Sequence, residues 1–321
     1  MRHLRTFALL IVGFASSHAA WGQGYPNKPV RIVVPFAAGS ATDIVARLVG
    51  EELTNVFGQA FIVDDKPGAS AIIGAEIVAK ALPDGYTLFV TTNTSHSANP
   101  FLFKKLPYDP VKDFTPVAGI MIIPVIVVVD PKLPINSMQE LISYTKANPG
   151  KVSFGYGNSI GQVVGASFAK AVGITVTPIP YKSSPQAMTD VIGGQVSYGV
   201  TDMAAGQQLV KAGKLRAIGV SSEKRSALMP DLPAISETPG LSGFDVTAWV
   251  AMFAPAGTPK EIVDKLSVEV KKALAKPEIK DRITQFAAET MPSNSEQLGV
   301  FVRAQLANWG KRIKDAGIEP E

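Results

Sequence analysis

The chain of 321 residues has no cysteine and only three histidines. The first absence excludes disulfides, thiolate metal sites, cysteine nucleophiles and a lipid anchor on an N-terminal cysteine. His3 and His18 fall in an apolar leader, so His96 alone remains for histidine chemistry. A zinc site would need three carboxylates around it, and no such spacing occurs. Long apolar runs are also scarce. Phe7 to Phe14 is too short to span a bilayer, and the run over 117–129 is broken by Pro124 and reads as buried strand. Nor is there a nucleic-acid surface. Residues 1–23 hold two arginines and no acid, which leaves 29 basic residues against 27 acidic ones. The densest basic cluster, 211–216, is interrupted by Ala212, Gly213 and Leu215 and reads as the solvated end of a helix.

What is present begins with a leader. Arg2 and Arg5 precede the apolar core, and Ser17-His18-Ala19-Ala20 supplies small residues for cleavage, so residues 1–23 read as a secretory signal peptide. With no anchor and no span, the expected location is the periplasm. About 300 remaining residues exceed one ordinary core, which predicts two domains.

Strand-like and helical patterns alternate from end to end. Apolar β-branched runs at 30–34, 60–63, 87–92, 125–129, 152–156, 175–179, 198–201 and 217–221 are separated by helical periodicity over 42–54, 71–81, 137–147, 161–171, 184–193 and 204–212. This alternation predicts an α/β fold in two lobes, each a mostly parallel sheet flanked by helices. An internal echo supports the division. Residues 127–131 lead to Ser137 and Glu140, and residues 253–255 lead to Thr258 and Glu261, each a strand followed by a capping box. These read as two crossover strands, with lobe 1 formed by 25–122 plus 243–321 and lobe 2 by 123–242. A ligand then sits between the lobes, at the C-terminal ends of facing strands.

Two turns carry the chemistry. Val33 and Val34 end at Pro35, and Phe36, Ala37, Ala38, Gly39, Ser40, Ala41, Thr42 and Asp43 then open a helix. The first N–H groups of a helix lack internal partners and carry partial positive charge, so the turn favours an anion. No arginine or lysine lies between Arg31 and Arg47, which points to a small carboxylate held by backbone. The second turn, Gly157-Asn158-Ser159-Ile160-Gly161, matches the G-x-S-x-G elbow of serine hydrolases. That alternative, a periplasmic hydrolase using Ser159, needs a histidine after the serine, and none follows. What survives is a second open helix start, 158–162, with Gly161 and Gln162. Thr94 and His96 lie in a polar loop after a strand, where His96 either meets ligand or is structural. Tyr181 and Ser183 are placed on the cleft wall. Asp202 either receives a ligand group or caps the helix after it. Trp249 falls near the return crossover, where hinge packing outweighs closure over a ligand. The stretch 68–71 is half a dinucleotide fingerprint and implies no polyphosphate.

Longer motifs fall in a familiar order: Tyr25-Pro26-Asn27-Lys28-Pro29, Pro67-Gly68-Ala69, Leu82-Pro83-Asp84-Gly85-Tyr86-Thr87-Leu88, Leu106-Pro107-Tyr108-Asp109-Pro110, Gly193-Gly194-Gln195-Val196 and Phe253-Ala254-Pro255-Ala256-Gly257-Thr258-Pro259. With them the sequence resembles the Bug-type periplasmic solute receptors of tripartite tricarboxylate transporters over essentially all of 25–321. The resemblance implies a two-lobed periplasmic binding protein of type II-like fold that is not an enzyme and needs no cofactor or metal. It implies a monomer that delivers a dicarboxylate, tricarboxylate or aromatic carboxylate to a membrane permease of large and small subunits. It also implies that the turns 35–43 and 156–162, Tyr156 included, pinch one carboxylate, partly through water. The far end of the ligand then meets Ser183, Ser184 and Asp202. Gly39-Ser40 stands where the family often has Gly-Gly, and Gln162, Val163 and Ala166 stand where it has Gly, Thr and His. Fewer polar side chains imply a ligand less polar than citrate.

Overall fold

The structure, a computed structural model, describes residues 24–181, 184–285 and 287–320. The signal peptide expected over 1–23 therefore lies outside the described residues, as does Ser183. The chain begins with β1 (Val30–Val34), α1 (Ala41–Phe57), β2 (Phe61–Asp65), α2 (Ile72–Ala79) and β3 (Thr87–Thr92). A π-helical turn over Thr94–Ala98 runs into α3 (Asn99–Leu102), and β4 (Phe114–Ile123) closes this portion. Next come β5 (Val125–Val129), α4 (Met138–Ala147), β6 (Ser153–Tyr156), α5 (Ser159–Ala171), β7 (Thr177–Pro180), α6 (Ser184–Ile192), β8 (Tyr198–Asp202), α7 (Met203–Lys211) and β9 (Arg216–Val220). The return comprises β10 (Ala248–Pro255), α8 (Lys260–Ala275), α9 (Pro277–Gln285), β11 (Glu289–Thr290) and α10 (Ser295–Asp315).

Two sheets result, in the orders β11-β4-β10-β3-β1-β2 and β7-β6-β8-β5-β9. Both are mixed, which corrects the expectation of mostly parallel sheets. β1, β2 and β3 pair in parallel, as do β6, β7 and β8, whereas β10 and β5 run antiparallel to their neighbours. The reason is the crossing itself: a chain that leaves one sheet and enters another through a single residue has no helix with which to reverse. That residue is Pro124. It has no N–H to extend a ladder, so the apolar run 117–129 becomes two strands in different sheets.

Period-2 alternation sets the layers. In β1, Val30, Ile32 and Val34 face α1 and α8, while Val33 joins Phe89, Trp249 and Phe253 on the other face. In β5, Val125, Val127 and Val129 pack against α4 and α5, while Ile126 and Val128 face α6 and α7. Each sheet is thus a buried middle layer.

The return crossing lies past the 242/243 division expected from sequence. Phe244 and Val246 still pack in the second lobe, and the Val246 N–H donates to Ser221 O at 2.9 Å. Ser221 clasps both crossings, accepting from the Val125 N–H at 3.2 Å and donating to Val246 O at 2.5 Å. α10 does not return to the first lobe alone. Leu298 and Val302 pack beside Trp249, but Trp309 and Ile313 pack into the second-lobe cluster with Phe154 and Phe168. It is a strap across both lobes.

Candidate functional site

Topology brings the two turns to one place. β4 and β3 both pair with β10, so Ile123 ends beside Ala248 at the same edge where β3 ends at Thr92. One residue later Val125 pairs with Asp202, the C-terminal residue of β8. The C-terminal edges of β1, β2 and β3 therefore meet those of β6, β7 and β8 across Pro124. The Thr94 Oγ1 and Ser159 Oγ lie 3.3 Å apart, a direct hydrogen bond from one edge to the other.

On the first lobe Ser40 caps α1, its hydroxyl accepting from the Asp43 N–H at 3.2 Å. Gly39 sits at φ +81°, a left-handed position that suits glycine. The Gly39 N–H donates to the Asp43 carboxylate at 2.8 Å, whose other oxygen pairs with Arg47 at 2.7 Å. Asp43 is 3 % exposed, so it stiffens the turn instead of facing the opening. Arg47 also pairs with Asp65 at 2.9 Å, which consumes its charge inside the lobe. Burial and the neighbouring Asp43 charge push the Asp65 carboxyl above its ordinary range. Among the described residues, the N–H groups of Ala41 and Thr42 have no acceptor. Ala37, Ala38 and Gly39 are exposed around them, and Phe36 is half-buried against the core.

On the second lobe Asn158 caps α5, accepting from the Gly161 N–H at 2.9 Å. Among the described residues, nothing accepts from the N–H groups of Ser159 and Ile160. A Cβ on Gly161 would stand 2.9 Å from the Tyr156 Cβ and 3.1 Å from Val200 O, so only glycine lets α5 start this close to β6 and β8. Tyr156 and Gln162 are half-buried beside the mouth. Among the described residues, two helix starts with open N–H groups, neither with a cationic side chain on its turn, thus stand at these facing edges.

Other expected residues take local roles. Asp202 caps α7, accepting from the Ala205 N–H at 2.9 Å. The Tyr181 hydroxyl donates to Asp190 at 2.7 Å, a bond that pushes its pKa up to about 12. His96 is corrected from cleft contact to core: it is wholly buried, stacked 4.0 Å from Phe253, with Nδ1 2.9 Å from Ser95 Oγ. Burial holds its pKa down to about 3, so it is neutral, and its packing inside the aromatic cluster with Nδ1 on Ser95 keeps it from Ser159. Trp249 lies in the same aromatic cluster, fully buried. Among the described residues no cluster of histidine and acid could hold a metal ion.

Two features escaped sequence reading. Asn93 follows β3 directly, is 1 % exposed, and its Nδ2 has no partner. The loop after β2 holds Ala69, Ser70 and Ala71 at φ +44°, +51° and +72°, three successive left-handed residues that are not glycine. Such backbone costs on the order of 1–2 kcal/mol per residue. Asn99 steadies it, donating to Ser70 O at 2.8 Å. The polar residue after a buried strand is a sequence signal; the left-handed run has none beyond Gly68.

The tripartite tricarboxylate transporter family receptor model matches residues 45–318. The chain belongs to this receptor family. Solved structures agree. The R. palustris protein Rpa4515 with adipate is 33 % identical, with a TM-score of 0.85 over 92 % of this chain and 100 % of its own. The periplasmic binding protein BugD is 36 % identical, with a TM-score of 0.81 over 92 % of this chain and 100 % of its own. MatC from Rhodopseudomonas palustris, with bound malate, is 31 % identical, with a TM-score of 0.78 over 90 % and 100 %. This receptor therefore has the two-lobed binding-protein fold of the Bug type, and it is a solute receptor and not an enzyme.

Proposed function

We propose that this receptor captures a small carboxylate, of the dicarboxylate class, in the periplasm and delivers it as a monomer to a membrane permease of large and small subunits. The pair of open helix starts, Ala41–Thr42 and Ser159–Ile160, carries the reading. Two N–H donors from each helix start are then available to one acid group, and Asp43 does not compete for them because it is bonded inward. Adipate and malate in the related proteins fit the same chemistry. Closure follows from bridging: a ligand held by both lobes stabilises the arrangement that lets both mouths reach it. The Thr94–Ser159 hydrogen bond marks where the lobes touch when they do.

Adipate at a hundredfold excess over its Kd would stabilise the protein by about 2.7 kcal/mol, which thermal unfolding reads directly. A screen of dicarboxylates, tricarboxylates and aromatic acids should give its largest shift with a dicarboxylate. Ser159→Ala should weaken that binding several-fold, and the protein should hydrolyse no ester. No response to any carboxylate would overturn the receptor reading of the cleft. Ester turnover abolished by Ser159→Ala would restore the hydrolase.

A further inference from the structure

A hollow of about 420 Å³ opens away from the cleft, between the C-terminal halves of α5 and α10 and the turn 240–243. No residue assigned to the ligand mouths lines it. Ser167 and Lys170 stand on α5 roughly 12–16 Å beyond Ser159, taking about 1.5 Å of helix per residue. Lys311, Arg312 and Asp315 come from α10, the strap that packs on both lobes, and the turn belongs to the segment leading into the return crossing.

The charges on these walls do not balance locally. Asp315 pairs with Lys311 at 2.5 Å. Arg312 is half-buried, yet among the described residues no carboxylate reaches it within ion-pair distance and no hydrogen-bond acceptor meets its guanidinium. Asp245 and Asp315 attract it from further off, Asp245 while itself accepting from the Glu223 backbone and Asp315 while paired with Lys311. The Ser167 hydroxyl is buried and also has no partner. A guanidinium partly withdrawn from water without an acceptor is unfavourable, and its planar fork matches a carboxylate or a phosphate. A water takes about 30 Å³, so the hollow holds such an anion with part of its hydration.

We infer that this hollow is a second anion site, separate from the cleft, in which Arg312 and the Ser167 hydroxyl take one carboxylate or phosphate group. The group is either a free anion or an acidic side chain of a protein partner. The site stands whether or not the cleft binds a carboxylate, because it shares no residue with the mouths.

The test is a titration of ¹⁵N-labelled protein followed at the Gly240 and Gly243 amides. Sodium phosphate and an N-acetylated tetraglutamate amide are the two probes, each against sodium chloride at equal ionic strength. Saturating shifts are expected with at least one probe, weakened about tenfold or more by Arg312→Gln and severalfold by Ser167→Ala, with Arg312→Lys between. A response to phosphate assigns a free anion, and a response to the peptide alone assigns a partner's acidic side chain. Shifts that do not saturate, or that persist unchanged in Arg312→Gln and Ser167→Ala, overturn the site. Should Arg312→Gln fail to fold, Arg312→Lys and Ser167→Ala decide it alone.

Discussion

The two mouths of the cleft reach the same end by different means. In the first lobe the turn before α1 is tied by charge: the Asp43 carboxylate holds Gly39 N–H and Arg47, and Arg47 holds Asp65. In the second lobe the turn before α5 has no charge at all and depends on fit, with Gly161 packed against Tyr156 and Val200 O. Each construction leaves two N–H groups open. An acid beside the proposed anion site is tolerable only because its charge is spent elsewhere, whereas a neutral elbow needs close approach instead.

The contrast is sharpest at Asp43. Asp43→Ala should destabilise the protein by about 3 kcal/mol, since a buried, paired carboxylate is removed. Ligand affinity should fall with it, and hydrogen exchange should quicken over 39–47 while 158–162 stays protected. Equal loss of protection in both turns would show that the mouths are not built independently.

Gly161→Ala should cost somewhat less, about 2 kcal/mol, through overpacking against Tyr156 and the Val200 carbonyl. Here the loosening should appear in 156–162 and spare α1. An undisturbed melting temperature with normal adipate binding would remove the argument from fit.

The smallest effect separates the lobes by pH. His96 lies behind the first mouth, and no histidine lies between it and the C-terminus, so the second lobe has none. Its native pKa of about 3 lies below the unfolded value of about 6.5, so between these limits the unfolded state binds more protons. Stability is full above pH 6.5 and falls as pH drops, by at most about 1.4 kcal/mol per pH unit from this group. Urea unfolding at pH 7 and pH 5 should show the loss, and His96→Asn should flatten it whatever its effect at pH 7. An unchanged slope in that variant would place the acid sensitivity elsewhere.

Much of the two helix starts was legible residue by residue. Ser40, Asn158 and the glycines beside them are helix-start residues by their chemistry, and the lack of cations between Arg31 and Arg47 is a matter of reading. His96 was left open between ligand contact and a structural role. The π-helical turn decides it, rolling His96 inward onto Phe253 and Phe114. Asp202 was open between two roles, and the structure shows the cap. The left-handed run 69–71 could not be anticipated, because alanine and serine ordinarily avoid that region.

The sequence by itself determined the layers and the two helix starts, because apolar period and capping chemistry act over a few neighbouring residues. It also marked Pro124 as the interruption in the run 117–129, the residue at which a ladder loses an N–H. Only the tertiary structure decided which sheet each half of that run joins, that α10 straps both lobes, and that Arg47 turns away from the mouth. Those outcomes depend on contacts between residues far apart in the chain, whose geometry no local pattern encodes.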